Sequence, residues 1–457
     1  MILNKNIRLS IFIFLTVSAA FIFNGLSSDQ NKNSVVQHPE WSYNKVIYEV
    51  NIRQFTPEGT FKAFQKHLPE LKDLGAGILW LMPINPIGEK NRKGTLGSYY
   101  SVKDYMTVNP DFGTLEEFKL LVKKIHELGM YVIIDWVANH TSWDNNLTVN
   151  HPDWFTKDSL GNFVPPVPDW SDVIDLNYDN KDLKKYMLDA LKFWVNECDI
   201  DGYRCDVAGM VPTDFWNNAR AELEKIKPVF MLAEWESPGL HEKAFDMTYS
   251  WELYNIFNSI AKGEKNSGDI ITSLKKEEEV YPDNAFRMRF TSNHDENSWK
   301  GTVFERLGSS AETFAVLTCV IPGMPLIYNG QEAGLNKRLK FFEKDPIEWK
   351  YHKFRNLYQK LFHLKEKSPA LFNGEKGGGI IFIPSDPKNK VLSLIREKAG
   401  NKIIGIFNLS PRAVTFQLKH DALPGNYINL FTNKIVKLRK EQDISLKQWE
   451  YKLFIAE

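Results

Sequence analysis

Residues 201–210, DGYRCDVAGM, read as a short strand of an enclosed sheet followed by a turn. Side chains of an extended chain alternate between faces, so Arg204 and Asp206 share one face. Tyr203, Cys205 and Val207 form an apolar set on the other, suited to packing under helices. An arginine two residues from an aspartate on one face is expected to hold that carboxylate ionised and to fix its direction. Taken alone, the stretch reads first as a structural Arg–Asp ion pair, with Asp206 as candidate nucleophile the alternative that its neighbours along the chain favour.

Similar stretches recur on both sides. Residues 46–55 (VIYEVNIRQF), 77–82 (GILWLM, stopped by Pro83), 130–137 (MYVIIDWV) and 202–208 are expected strands, as are 229–235, 247–251, 286–292 and 324–328. Continuous apolar runs suit a parallel sheet covered on both faces. Helical spacing fills the intervals, for example over 61–74 and 115–128, where Thr114 and Glu117 form a capping-box pattern. Eight strand–helix repeats predict an α/β fold, a (β/α)8 TIM barrel over residues 41–372. Two stretches break the rhythm. Residues 139–178, after the third strand, are rich in Pro, Asp and Trp without helical period, and read as a β3–α3 excursion forming a small domain B. Residues 373–457 turn to short strands with turn signals, a C-terminal all-β sandwich.

The 457 residues carry 57 basic and 57 acidic side chains, so nothing points to a nucleic-acid or anionic-membrane partner, and nothing specifies an oligomer. Lys5 and Arg8 precede an apolar run over 9–23 and small or polar residues over 24–28. Residues 1–28 thus have the layout of a signal peptide or of an uncleaved N-terminal anchor, and export to the periplasm or medium is expected. Cys198, Cys205 and Cys319 are odd in number and lie in apparent core elements, which argues against a disulfide framework.

Acidic and imidazole groups stand at the C-terminal ends of several expected strands, where barrels build active sites. These are Asp135, Asn139 and His140 in DWVANH, Arg204 and Asp206, Glu234 in LAEWE, and His294 and Asp295 in FTSNHDE. Carboxylates converging from separate strands repel one another, so stability alone does not explain them. Glycosidic bond cleavage uses such a set, one carboxylate ionised and one protonated. A metal-dependent barrel hydrolase would want a His-x-His pair on a strand, and the chain has none.

These four stretches, in order, resemble the signature regions of the α-amylase family of glycoside hydrolases (family 13), over about residues 41–457. The segment VIDLNY, with Asp175, Leu176 and Asn177, resembles its short fifth region. The resemblance implies Asp206 as nucleophile, Glu234 as general acid/base and Asp295 as transition-state stabiliser of a retaining reaction. It further implies that His140 and His294 bind the sugar at the cleavage point and that Arg204 supports the nucleophile. Tyr100, in GSYYSVKDY, resembles the family's stacking tyrosine, and Asp135 the buried partner of the arginine. Asn139 and Asp175 stand where relatives hold a structural calcium ion. Gly209 and Met210, however, occupy positions where many relatives carry a Lys–His pair serving calcium and the leaving-group sugar. No cofactor is expected for the chemistry, and little dependence on calcium. Trp136, Trp143, Trp154 and Trp170 offer rings for stacking on glucose units or, for Trp154 and Trp170 equally, for packing the excursion's own small core, and the loop 83–97 is expected to leave room for a chain. The expected activity is endo-cleavage of α-1,4 bonds in starch-like glucans or maltooligosaccharides. Transglycosylation and action on α-1,6 bonds or cyclomaltodextrins are the alternatives from the same carboxylates. A non-catalytic barrel relative behind a membrane anchor is a further one.

Overall fold

A computed structural model describes residues 36–387 and 389–457; the N-terminal segment 1–28 lies outside the described residues. The expected eight strands form, in chain order, β1 (Ile47–Val50), β2 (Ile78–Leu81), β3 (Tyr131–Trp136), then β6 (Gly202–Cys205), β7 (Phe230–Ala233), β8 (Met247–Tyr249), β9 (Phe286–Arg289) and β10 (Met324–Tyr328), with β4 (His140–Ser142) and β5 (Val173–Asp175) in the excursion between. Each barrel strand pairs in parallel with the next, and β10 pairs with β1 to close the barrel.

Alternation explains why both faces are apolar. Ile47, Trp80, Ile133, Phe230, Leu232, Met247 and Met288 point inward and fill the barrel, while Tyr48, Leu79, Ile134, Tyr203, Cys205 and Met231 point outward against the helices. Burying one such aliphatic or aromatic side chain is worth ~1.5–3 kcal/mol. The helix Leu115–Glu127 starts at the expected capping box, with Thr114 and Glu117 exchanging side-chain-to-backbone bonds of 3.2 and 2.9 Å.

Several strands end sooner than the sequence suggests. The first stops at Val50, because the Asn51 side chain accepts from the Gln54 N–H and caps a helical turn over Ile52–Phe55. The eighth-strand and ninth-strand segments stop at Tyr249 and Arg289, and Trp251 already opens a helix over Trp251–Ala261. The helix expected over 61–74 is divided into Phe61–Gln65 and Leu68–Leu74, with Pro69 in the first turn of the second, where its missing N–H costs nothing. Val207 lies beyond the end of β6, in a left-handed turn, and does not continue the outward face of Tyr203 and Cys205.

In the excursion, β4 and β5 pair antiparallel with His140 opposite Asp175. After the barrel come β11 (Ile380–Ile383), β12 (Val391–Lys398), β13 (Asn401–Asn408), β14 (Val414–Lys419), β15 (Gly425–Asn429), β16 (Ile435–Leu438), β17 (Glu441–Leu446) and β18 (Tyr451–Ala456). They make a six-stranded antiparallel sheet and a β14–β17 ribbon, joined by a core that includes Ile395, Ile404, Ile406, Phe416, Leu418 and Leu446. The three cysteines are free and buried. Among the described residues no helix is long and apolar enough to cross a membrane.

Candidate active site

Register brings the site together. Asp135 of β3 lies opposite Arg204 of β6, and Cys205 opposite Ala233 of β7, so Asp206 and Glu234 leave adjacent strands side by side. The ladder continues past the strand ends, as Asp206 N–H donates to the Trp136 carbonyl and Glu234 N–H to that of Cys205. Arg204 is fully buried; its Nη1 donates to Asp135 Oδ1 (2.8 Å) and Asp206 Oδ1 (2.9 Å). Its Nη2 stands 2.9 Å from Glu234 Oε2, close but not aligned for a hydrogen bond. Trp80, Tyr100 and Tyr249 face the guanidinium at 5.0, 5.7 and 5.9 Å from their ring centres, which favours the cation.

The sequence reads an Arg–Asp pair, whereas the structure shows one cation shared by the buried Asp135 and Asp206 and the partly exposed Glu234, and this changes the electrostatics. Burial raises Asp206 to about 6 against the pull of Arg204, so its carboxyl is not held in the ordinary aspartate range. Burial also raises Glu234, and the neighbouring Asp206 and Asp295 add to it, carrying it to about 7 against Arg204. Both neighbouring carboxylates thus favour the protonated form of Glu234. Its Oε2 accepts from Val207 N–H at 2.9 Å. Val207 makes this bond from φ 37° and ψ 47°, a conformation costly for a β-branched residue, about 1–3 kcal/mol. The strain lies at the residue that orients the Glu234 carboxyl.

The two histidines differ sharply. His140 Nε2 is 3.9 Å from Asp206 Oδ2, and burial pushes the ring down to about 3, leaving it neutral. Burial also opposes charge on His294, but Asp295 and Glu49 outweigh it and raise the ring to about 9. His294 Nε2 lies 2.8 Å from Tyr100 Oη and 3.4 Å from Asp295 Oδ2. His140 lines the cavity described next, whereas His294 stands behind Tyr100.

Asp206, Glu234 and Asp295 open onto a cavity of about 480 Å³ walled by Tyr100, Trp170, Trp299, Phe341 and Phe342. Of the four tryptophans proposed for stacking, Trp170 lines it. Trp136 does not, because alternation on β3 sends Asp135 inward and Trp136 outward, where it is buried against Tyr105 and Tyr203. Trp154 packs on His151 of the excursion and on Tyr186 of the helix Lys181–Cys198, and Trp143 is bonded to the Ser171 carbonyl. Sequence reading missed Trp299, Phe341 and Glu49. Trp299 had a usable signal, four residues after Asp295 at helical spacing, and its Nε1 donates to Asp295 Oδ1 at 3.2 Å. Phe341 lies in a loop without periodicity and had none.

The loop 83–97 is tied down on two sides. Lys93 donates to the Asp169 carbonyl (2.7 Å) and pairs with Asp172 (2.9 Å) in the excursion, while Leu96 and Thr95 bond to Phe342 and Glu343 at 3.0 Å. The Trp235 indole, 40% exposed, covers Gly209; a Cβ there would meet it at 2.1 Å.

The proposed calcium donors have other partners. Asp175 Oδ2 accepts from the Thr156 hydroxyl (2.6 Å), and the Asn139 amide faces His140 Nδ1 (3.3 Å). Among the described residues no three acidic, histidine or cysteine side chains gather as metal ligands. A calcium ion takes six to eight oxygens, and these two groups do not amount to that set.

Comparison with known proteins agrees with this geometry. The profile of the family described as alpha amylase, catalytic domain, matches residues 24–162 and 150–369. A maltogenic alpha-amylase of Bacillus acidopullulyticus is 27% identical over 476 aligned positions, covering 93% of this chain and 79% of that protein. A cyclomaltodextrinase of Geobacillus thermopakistaniensis is 26% identical, covering 87% and 70%. The crystal structure of a maltogenic alpha-amylase of Thermotoga neapolitana superposes with a TM-score of 0.84 at 33% identity, covering 90% of this chain and 98% of that one. With its four signature stretches on the expected strands around one guanidinium, the chain belongs to the α-amylase family of glycoside hydrolases.

Proposed function

We propose that the protein is a retaining hydrolase of α-1,4-glucosidic bonds in starch-like glucans and maltooligosaccharides. The supporting observation is geometric: Asp206 and Glu234 leave adjacent strands side by side around Arg204 and open with Asp295 onto one cavity, where burial raises both Asp206 and Glu234. Asp206 Oδ1 is held by Arg204, leaving Oδ2 to attack the anomeric carbon. Glu234 gives its proton to the departing oxygen as the glycosidic bond breaks, and then takes one from the water that hydrolyses the glycosyl–enzyme. Asp295, beside charged His294, faces the positive charge that develops on the sugar.

The walled side of the cavity bears on product size. From the excursion through Lys93 to Phe342 the rim is continuous, so the sugar chain has a short reach on that side. This differs from the open loop expected from sequence and favours short products. The leaving segment exits past Glu234 over Trp235, which offers an apolar ring where relatives carry a lysine. That ring suits cyclomaltodextrins or acceptor sugars as well as water, the second reading within the family. Residues 1–28 support export. N-terminal sequencing of the protein from medium and membrane fractions distinguishes cleavage from anchoring.

The test is proton NMR of fresh products from soluble starch, maltooligosaccharides, pullulan and cyclodextrin, with chromatography of product lengths. Products in the α-anomeric form and two or a few units long are expected. β-Anomers appearing first would rule out retention, and glucose as the sole early product would rule out a site holding more than one unit.

A further inference from the structure

Glu49 occupies the inward face of β1, one residue from its end, and is fully buried. An acidic side chain inside a barrel core is costly unless something uses its charge. Its Oε1 accepts from His294 Nδ1 and sits 3.4 Å from the His294 backbone N, while Oε2 has no hydrogen-bond partner. The pair joins β1 to the stretch after β9, across the barrel mouth.

The hydrogens in this chain can be placed by following the donors. Tyr100 has one phenolic hydrogen, and it goes to Asp135 Oδ2 at 3.0 Å, an oxygen that also accepts from Trp80 Nε1 at 3.2 Å. Tyr100 Oη must then accept from His294 Nε2, 2.8 Å away. Burial raises the Glu49 carboxyl and His294 and Arg204 pull it back; ionised, it takes a hydrogen from Nδ1. With acceptors at both ring nitrogens, this arrangement favours hydrogen on both, the imidazolium form. The charged and titratable groups around it are Glu49 on β1, Tyr100 after β2, Asp135 on β3, Arg204 on β6 and Asp295 beside it. Trp80 and Phe341 close the rest of the ring's surroundings. Arg204 opposes the charge; Asp295 is the first of the groups that favour it but is more exposed, and Glu49 is the fully buried one, bonded directly to Nδ1.

We propose that Glu49 is a positioning residue that keeps His294 doubly protonated and aimed at Tyr100 and Asp295, without itself touching the sugar. His294 in turn gives the mouth a second cation besides Arg204, one that counters Asp295 while Glu234 retains its proton. This deepens the catalytic reading of the mouth and rests on it for its effect on rate, but the protonation state can be measured without any turnover.

The experiment is long-range ¹H–¹⁵N correlation on histidine-labelled protein over pH 5.5–9.5, with the His294 signal identified by its loss in His294→Gln. Wild-type His294 is expected to carry hydrogen on both nitrogens at pH 7.5. In Glu49→Gln, which keeps the shape and removes the charge, its midpoint should fall by about one to three pH units. kcat should fall about tenfold with KM less affected, since the loss is felt as charge develops. A neutral His294 in the wild type, or an unchanged midpoint in Glu49→Gln, overturns the proposal. Should Glu49→Gln not fold, Glu49→Asp draws the carboxylate back by one methylene; a lowered midpoint there supports the proposal and an unchanged one overturns it. Normal protonation with no starch hydrolysis in the wild type would count against the functional reading and leave this assignment standing.

Discussion

The barrel buries two kinds of ion cluster, one inside its mouth and one between its strands and their helices. Outside β9, Glu277 faces Arg287 and Arg289, with contacts of 3.2 and 3.0 Å to its Oε1. At the foot of β8, Asp246 faces Arg220 (2.6 Å) and His38 (2.7 Å). Burial pushes both carboxyls up, yet their cations outweigh it and both lie below the ordinary range. In the mouth, one guanidinium serves Asp135, Asp206 and Glu234, and all three are raised. Burial opposes charge in both places; in the mouth the carboxylates also lie beside one another, and each adds to the rise of its neighbours. The outer clusters are built to hold strands and helices together; the mouth is held in an unfavourable charge state that suits proton transfer.

The largest effect that would break this comparison is on turnover. Asp206→Asn or Glu234→Gln should reduce starch hydrolysis by about 10⁴-fold or more with the circular dichroism spectrum unchanged. Near-normal activity of either folded variant would remove the mouth from the chemistry.

Next comes Glu277→Gln, which leaves Arg289 buried without its carboxylate. It should cost about 3 kcal/mol in urea unfolding and leave kcat near normal at low temperature. Because the carboxyls of Asp246 and Glu277 are lowered in the fold, their stabilisation is complete above the unfolded value and is lost as pH falls below about 4. Acid unfolding should therefore shift to higher pH in Glu277→Gln. An unchanged midpoint would show that the outer cluster is not what sets acid stability.

Glu234→Gln should move stability the other way. The folded carboxyl, near 7, binds its proton more tightly than the unfolded one. Wild-type stability therefore declines as pH rises from about 4.5 to 7, and the glutamine variant escapes that decline. Its melting temperature should exceed the wild type's by about 2 °C at pH 8, with the gap closing toward pH 5. A variant that melts lower at pH 8 would mean that Glu234 is a structural partner of Arg204.

The smallest expected effect is that of chelator. With Asp175 bonded to Thr156 and Asn139 turned to His140, EDTA should shift the melting temperature by less than about 2 °C. A large drop restored by calcium would reveal ligands that these partners conceal.

Much of this protein is legible in its sequence, because parallel strands buried on both faces must read as apolar runs, and a barrel places polar residues at their C-terminal ends. The eight repeats, the excursion, the terminal sheet and the residues Asp135, Arg204, Asp206, Glu234, His294 and Asp295 follow from that rule. Tertiary structure alone decided who shares Arg204, since Glu234 reaches it from another strand and divides a charge that the local pattern assigned to Asp206. It also placed Glu49, some 245 positions from His294, at the imidazole. It turned Val207 into the left-handed region to meet Glu234, and it tied the loop 83–97 to Asp172 and Phe342. Strand and helix periods record which way a side chain faces; strength and sign of a charge depend on every group within a few ångströms, and those arrive only when distant strands close into a barrel.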